Sequence, residues 1–138
     1  MFDFQAITLN DQHHLSLIMP HDSEWHPFAD GMAMVLDNSY EVLYSISSTD
    51  LGHPIDLHEW NIINDGKTAL VAAKRPRDAT DDDKTPWKGK VMESYFWEVD
   101  LHTGTHLFNW TASDHIPIRE STNEPPRKGE TAQHWDWL

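Results

Sequence analysis

Apolar positions along the chain recur mostly every second residue. Phe2-Asp3-Phe4-Gln5-Ala6-Ile7-Thr8-Leu9 alternates, a polar stretch from Asn10 to His13 follows, and Leu15-Ser16-Leu17-Ile18-Met19 answers it before Pro20. Two such runs around a short polar loop predict a β-hairpin. Ala33-Met34-Val35-Leu36 runs into Asp37-Asn38-Ser39 and out again as Tyr40 to Ile46, with Asn and Asp supplying the tolerance of positive φ that tight turns need. A third pair, Ile55 to Ile63 and Thr68 to Ala73, brackets Asn64-Asp65-Gly66-Lys67, and Asp-Gly between apolar runs is among the strongest hairpin signals. A fourth joins Glu93–Asp100 to Thr105–Trp110 through Leu101-His102-Thr103-Gly104. No window carries a sustained i, i+3, i+4, i+7 stripe, so the chain is predicted to be all-β.

The hairpins share a layout. Val35-Leu36-Asp37-Asn38-Ser39-Tyr40-Glu41-Val42-Leu43 and Glu98-Val99-Asp100-Leu101-His102-Thr103-Gly104-Thr105-His106-Leu107-Phe108 both run acid, turn, apolar strand. Recurrence at this scale suggests antiparallel four-stranded sheets stacked as propeller blades, although any antiparallel protein has hairpins of this form. Asp78 to Lys90 has no periodicity and reads as a loop; 117–138, with Pro117, Pro125, Pro126 and Gly129, reads as an irregular, mobile tail. Neither resembles a linker, so residues 1–138 are read as one domain.

Composition narrows the function classes. With 10 Lys and Arg against 23 Asp and Glu, the formal charge is −13, and every Lys and Arg lies at or beyond Lys67. Nucleic acid and anionic membrane surfaces are bound by clustered cations, so both are disfavoured as partners. There are no cysteines, which excludes disulfides, thiolate metal sites and cysteine nucleophiles. No apolar run approaches the ~20 residues of a membrane span, and the acidic N-terminus lacks the layout of a signal peptide. Apolar content is 38%, but seven Trp fit a folded, aromatic-rich β protein better than a disordered one.

Candidate chemistry centres on ten histidines. His13 and His14 fall in a hairpin loop, His102 beside a turn and His106 on a strand. His21 and His26 bracket Asp22, Ser23 and Glu24, a possible oxygen-and-nitrogen metal set whose spacing matches no zinc signature. Asp81-Asp82-Asp83 lacks the ligand spacing and turn glycine of a calcium loop and reads as a solvated acidic loop. Asn109-Trp110-Thr111 fits the N-glycosylation sequon. His58 stands apart: in Asp56-Leu57-His58-Glu59-Trp60, two-residue alternation places Asp56, His58 and Trp60 on one face and Leu57 and Glu59 on the other. An Asp two residues away can hold an imidazole in one tautomer or keep it cationic, suiting it to bind an oxyanion or move a proton. A histidine bonded to a neighbouring strand's carbonyl explains the spacing equally well.

Taken together, Leu36-Asp37-Asn38-Ser39-Tyr40-Glu41-Val42-Leu43-Tyr44, Asp56-Leu57-His58-Glu59-Trp60, Asn64-Asp65-Gly66-Lys67-Thr68-Ala69-Leu70, Trp97-Glu98-Val99-Asp100-Leu101-His102-Thr103-Gly104, Leu107-Phe108-Asn109-Trp110, Ser113-Asp114-His115-Ile116-Pro117 and Trp135-Asp136-Trp137 resemble the fungal-type branch of the arylsulfotransferase family. The resemblance covers most of residues 30–138 in order. It implies a six-bladed β-propeller with the active site in its central funnel. It also implies transfer of a sulfuryl group from a phenolic sulfate ester to a phenol through a covalent sulfohistidine, with no cofactor and no metal. His58 matches the family's first active-site histidine, a sulfuryl-binding residue, and Asp56, Glu59 and Trp60 accompany it as supporting residues. The family's nucleophilic histidine, a further sulfate-binding histidine and the sulfate-binding arginine have no counterpart among these 138 residues, so no catalytic residue is assigned.

A propeller needs at least four blades of about 40–45 residues to close. The expectation is therefore an incomplete propeller of about two to three blades, inactive alone, whose open sheet edges invite self-association. Its small-molecule partner would be an aryl sulfate or a phenol. Family members are typically exported. The competing class is a non-catalytic acidic β module that recognises a sugar or protein through exposed aromatics, which requires several of Trp25, Trp60, Trp97 and Trp110 to line a groove. A third, a metal-dependent enzyme, would use His21, His26 and His58.

Overall fold

The computed structural model describes residues 2–21, 28–29, 31–80, 83, 87–126 and 134–138. Its strands are β1 (Phe2–Leu9), β2 (Gln12–Pro20), β3 (Phe28–Ala29), β4 (Gly31–Leu36), β5 (Val42–Ser47), β6 (Ile55–Ile63), β7 (Thr68–Asp78), β8 (Lys90–Asp100), β9 (His106–Thr111) and β10 (His134–Trp135), with one-turn helices α1 (Ser48–Leu51) and α2 (Ala112–His115). Sheet order is β1-β2-β4-β5 for the first and β10-β8-β7-β6-β3 for the second, where β9 also pairs with β8. Each sheet thus contains a four-stranded antiparallel meander, β1-β2-β4-β5 and β6-β7-β8-β9, and neither sheet closes on itself.

All four hairpins form where the alternation places them, and local turn chemistry explains why. Asn10 and Asp11 have φ of 51° and 60°, as a two-residue type I′ turn requires, so β2 begins at Gln12. The shared acid-turn layout is a capping device. Asp37 Oδ1 accepts the backbone N–H of Ser39 at 2.7 Å and of Glu41 at 2.9 Å. Asp100 Oδ1 likewise accepts those of His102 at 2.9 Å and Thr103 at 2.8 Å, and these bonds hold its carboxyl below the usual range. Asp37→Ala removes two acceptor contacts from one turn and should cost about 1 kcal/mol in urea unfolding, whereas Asp37→Asn, which keeps an acceptor oxygen, should cost much less.

The core lies between the sheets. Ile18, Ala33, Val35 and Ile46 of the first meet Ile55, Leu57, Trp60, Ala69, Val71, Ala73, Trp97 and Val99 of the second. Outside the start of β6 these are alternate residues of their strands, and β4 shows it most simply: Gly31, Ala33 and Val35 are buried while Met32, Met34 and Leu36 are not. A second cluster joins Val91, Ala112, Ile118, Trp135 and Trp137.

That second cluster draws in residues from the stretch 117–138, expected to be an irregular tail. Ile118 sits at 1% exposure in a short 3-10 turn, Trp135 and Trp137 are buried, and β10 runs parallel to the first residues of β8. The two tryptophans bury enough apolar surface to hold the chain end against β8. Two edge strands expose large apolar side chains: β5 with Val42 and Leu43, and β9 with Leu107 and Phe108. No helix among the described residues is long and apolar enough to cross a membrane.

Candidate functional site

The start of β6 departs from regular strand geometry, and that departure builds the site. Ile55 pairs with Ala73 and Trp60 pairs with Val71, so five steps along β6 are matched by two along β7. The extra residues, within Asp56 to Glu59, rise out of the ladder as a wide bulge. Burial follows the bulge instead of the alternation. Leu57 (2% exposed) and Trp60 (0%) enter the core, whereas His58 and Glu59 face solvent. The expected common face of Asp56, His58 and Trp60 is thus not what forms, because the inserted residues turn Trp60 inward.

Asp56 and His58 remain together. The carboxylate oxygen Oδ1 of Asp56 lies 2.7 Å from His58 Nδ1 and accepts the backbone N–H of His58 at 3.0 Å. The Asp56 side chain is 14% exposed and the imidazole 65%. This arrangement favours the proton on Nδ1 and presents Nε2 outward. Nε2 is then a base when the ring is neutral and a hydrogen-bond donor when it is cationic. Glu59 reaches its neighbour Asn61, whose amide donates to it at 3.2 Å, rather than the imidazole. Trp60 anchors the C-terminal end of the bulge, its ring in the core and its backbone N–H donated to Asp3 Oδ2 at 2.8 Å.

Two further side-chain clusters involve the second sheet. His53, just before β6, packs against Tyr95 (ring centroids 4.7 Å) and Trp97 (5.1 Å), and Trp97 in turn against His106 (5.1 Å). Burial, with the charges of Arg75 and His106 behind it, pushes the His53 imidazole below its ordinary pKa. Its Nδ1 is buried with no hydrogen-bond partner among the described residues. Sequence reasoning missed His53 because its neighbours come from β8 and β9, some forty to fifty residues away in sequence.

The other cluster is a charge clamp. Arg77 donates through Nε to Glu93 at 2.7 Å and through its two terminal nitrogens to Asp83 at 2.9 and 2.7 Å. Glu93, 1% exposed, also accepts the backbone N–H of Ser113 at 3.1 Å. The doubly paired guanidinium is held above its usual pKa and Asp83 below its own. Arg77, Thr80, Asp83, Ser113, Asp114, Pro117 and Ile118 line a cleft of about 320 Å³ beside it. Asp83 is therefore not part of a solvated acidic loop: its side chain is only 7% exposed, because Arg77 draws it in. Asp81 and Asp82 lie outside the described residues, as do Asp22, Ser23, Glu24 and His26 of the possible metal set and Trp25 of the aromatic set.

His13 and His14 stand on β2, with His14 buried and its Nδ1 2.9 Å from the Gln12 carbonyl. Asn109 is exposed on β9, where its Oδ1 lies 2.9 Å from His106 Nδ1. Among the described residues no three His, Asp or Glu side chains converge as a metal-binding set. Trp60 and Trp97 are core residues, and Trp110 is half-buried with its ring stacked at 3° on His115.

Comparison with protein families places residues 7–137 on the family model described as arylsulfotransferase (ASST). No curated protein and no solved structure matches the chain.

Proposed function

Because the chain belongs to the arylsulfotransferase family, we propose that the β6 bulge is a sulfuryl-ester-binding element, with His58 as the residue that meets the sulfuryl group. The observation that carries this reading is the Asp56–His58 pair at 2.7 Å on an exposed bulge. When His58 is cationic, Nε2–H donates to a non-bridging oxygen of an aryl sulfate while Asp56 stabilises the imidazolium from the other side. Asp56 orients the ring, and Trp60 fixes the bulge against the core. Glu59 adds negative charge at the rim.

The same arrangement explains why these residues are not expected to react alone. One imidazolium offset by Asp56 leaves no net positive charge, and developing charge on a sulfuryl group in flight needs several donors acting together with a nucleophile. In the family those are further histidines and an arginine, for which residues 1–138 have no counterpart. The two four-stranded meanders are read as two blades of an incomplete β-propeller, with β6 on the side that faces the funnel. Its substrates are aryl sulfates and phenols. The burial of Trp60 and Trp97 weakens the competing reading of a carbohydrate- or protein-binding module that works through exposed tryptophans.

The test is an assay of the purified 138-residue protein with 4-nitrophenyl sulfate and phenol, read as release of 4-nitrophenolate. The expected rate equals that without protein. Turnover that persists through purification and disappears in His58→Ala would show that the chain carries its own transfer centre.

A further inference from the structure

We propose that Asp3, from the far end of the chain, is the positioning residue for His58. The inference rests on reading the β6 bulge as the ester-binding element, and it concerns what holds that bulge in shape. β1 has a bulge of its own: Phe2 pairs with Ile18 and Gln5 with Ser16, three steps against two. Asp3 occupies it with φ of 44°, a left-handed conformation uncommon for a residue with a side chain, though Asp tolerates it better than most. An extra residue at that point takes the Asp3 side chain out of the alternation of β1 and sends it across to the second sheet.

What it meets there is the end of the other bulge. Asp3 Oδ2 accepts the backbone N–H of Trp60 at 2.8 Å, and Oδ1 accepts the Gln5 side-chain amide at 2.6 Å. Among the described residues β3 pairs with β6 at Ile55 and Asp56, and none of them forms a strand paired to that edge of β6 beyond Asp56. The Trp60 N–H would be left without an acceptor in a buried position, a costly state for a backbone donor. Asp3 supplies that acceptor as a charged one, which gives the stronger class of hydrogen bond. Ile55, paired to Ala73, fixes one end of the bulge, and Trp60, paired to Val71 and held by Asp3, fixes the other. The four residues between have a set span to cover, and within that span Asp56 and His58 reach each other. Without Asp3 the Trp60 end keeps its pairing to Val71 and its core packing but loses the acceptor on its other side, and the loosened bulge lets the Asp56–His58 contact lengthen.

The test reads the tautomer of His58 directly. Protein with ring-labelled histidine is observed by 15N NMR at mildly alkaline pH, where the imidazoles are neutral, in the wild-type chain, Asp3→Gly and Asp3→Asn. Glycine accepts the left-handed backbone without strain but offers no acceptor; asparagine keeps an oxygen in place. Wild type should show His58 mainly with its proton on Nδ1. In Asp3→Gly the ratio of Nδ1–H to Nε2–H should fall about fivefold, the change that corresponds to a hydrogen bond of ordinary net strength, while Asp3→Asn stays near wild type. Unchanged His58 ring shifts in Asp3→Gly would overturn the proposal, and so would an equal change in Asp3→Asn. No sulfate ester is present, so a negative result here leaves the ester-binding reading standing, and failure to bind ester leaves this one standing.

Discussion

Arg77→Ala is expected to lower the free energy of unfolding by about 3 kcal/mol, because it strands a carboxylate inside the protein. Glu93 is 1% exposed, and among the described residues the Ser113 N–H still donates to it. The loss should appear in urea denaturation as a shift in midpoint with little change in slope. A partner experiment separates the cost of the stranded Glu93 charge from the rest: in Arg77→Met combined with Glu93→Leu part of the loss should be recovered, since no charge is then left buried at position 93, while Asp83 and the Ser113 N–H still lose their partners. The pH dependence has a definite sign. Asp83 is held below the ordinary carboxylate range chiefly by its hydrogen bonds from Arg77. A depressed carboxylate contributes stability that is present above about pH 4 and is lost as the pH falls through its folded value. Arg77→Ala should therefore lose less stability than wild type between neutral and acid pH. An acid-side slope as steep as wild type would remove Arg77 as the cause.

Trp60→Ala should cost about 3–5 kcal/mol, the range for emptying a large aromatic from a packed core. Trp60 is fully buried at the point where both sheets meet, among Leu57, Val71 and Trp97. Its indole N–H has no hydrogen-bond partner among the described residues. That detail makes the conservative variant informative: Trp60→Phe gives up volume but also relieves a buried, unpaired donor, so its cost should be less than half that of Trp60→Ala. Equal losses in the two variants would mean that the indole nitrogen has a role the packing does not account for. Both variants are measured by equilibrium unfolding followed by far-ultraviolet circular dichroism.

What could be read from the chain and what could not divides along sequence distance. The hairpins were legible because their determinants are adjacent: Asn10-Asp11 and Asn64-Asp65-Gly66 supply positive φ, and Asp37 and Asp100 cap the turns that follow them. The Asp56–His58 contact was legible for the same reason, being two residues long. The face to which Trp60 turns was not. It depends on a bulge whose far anchor, Asp3, lies 57 residues away and is brought there only when the sheets pack. Asp83 was misjudged because its partner Arg77 looks, in sequence, like one cation in a basic run, and nothing local says that Glu93 will be opposite. The tryptophans at 135 and 137 sit beyond a proline-rich stretch of irregular composition, and their burial in one cluster with Val91 and Ile118 depends on residues far away in sequence.

The account stands or falls on whether the β6 bulge meets a sulfuryl ester through His58. The most direct measurement is a titration of 4-nitrophenyl sulfate into protein with ring-labelled histidine, following all ten imidazoles at mildly acidic pH. One charge-assisted hydrogen bond with no net positive charge behind it predicts weak binding, with a dissociation constant on the order of 1 mM. The predicted result is a saturating shift of the His58 ring resonances that is abolished in Asp56→Ala, with the exposed His13 and His102 unmoved. A His58 ring that stays silent to tenfold above that concentration, or that moves only as much as His13 and His102, would contradict the account.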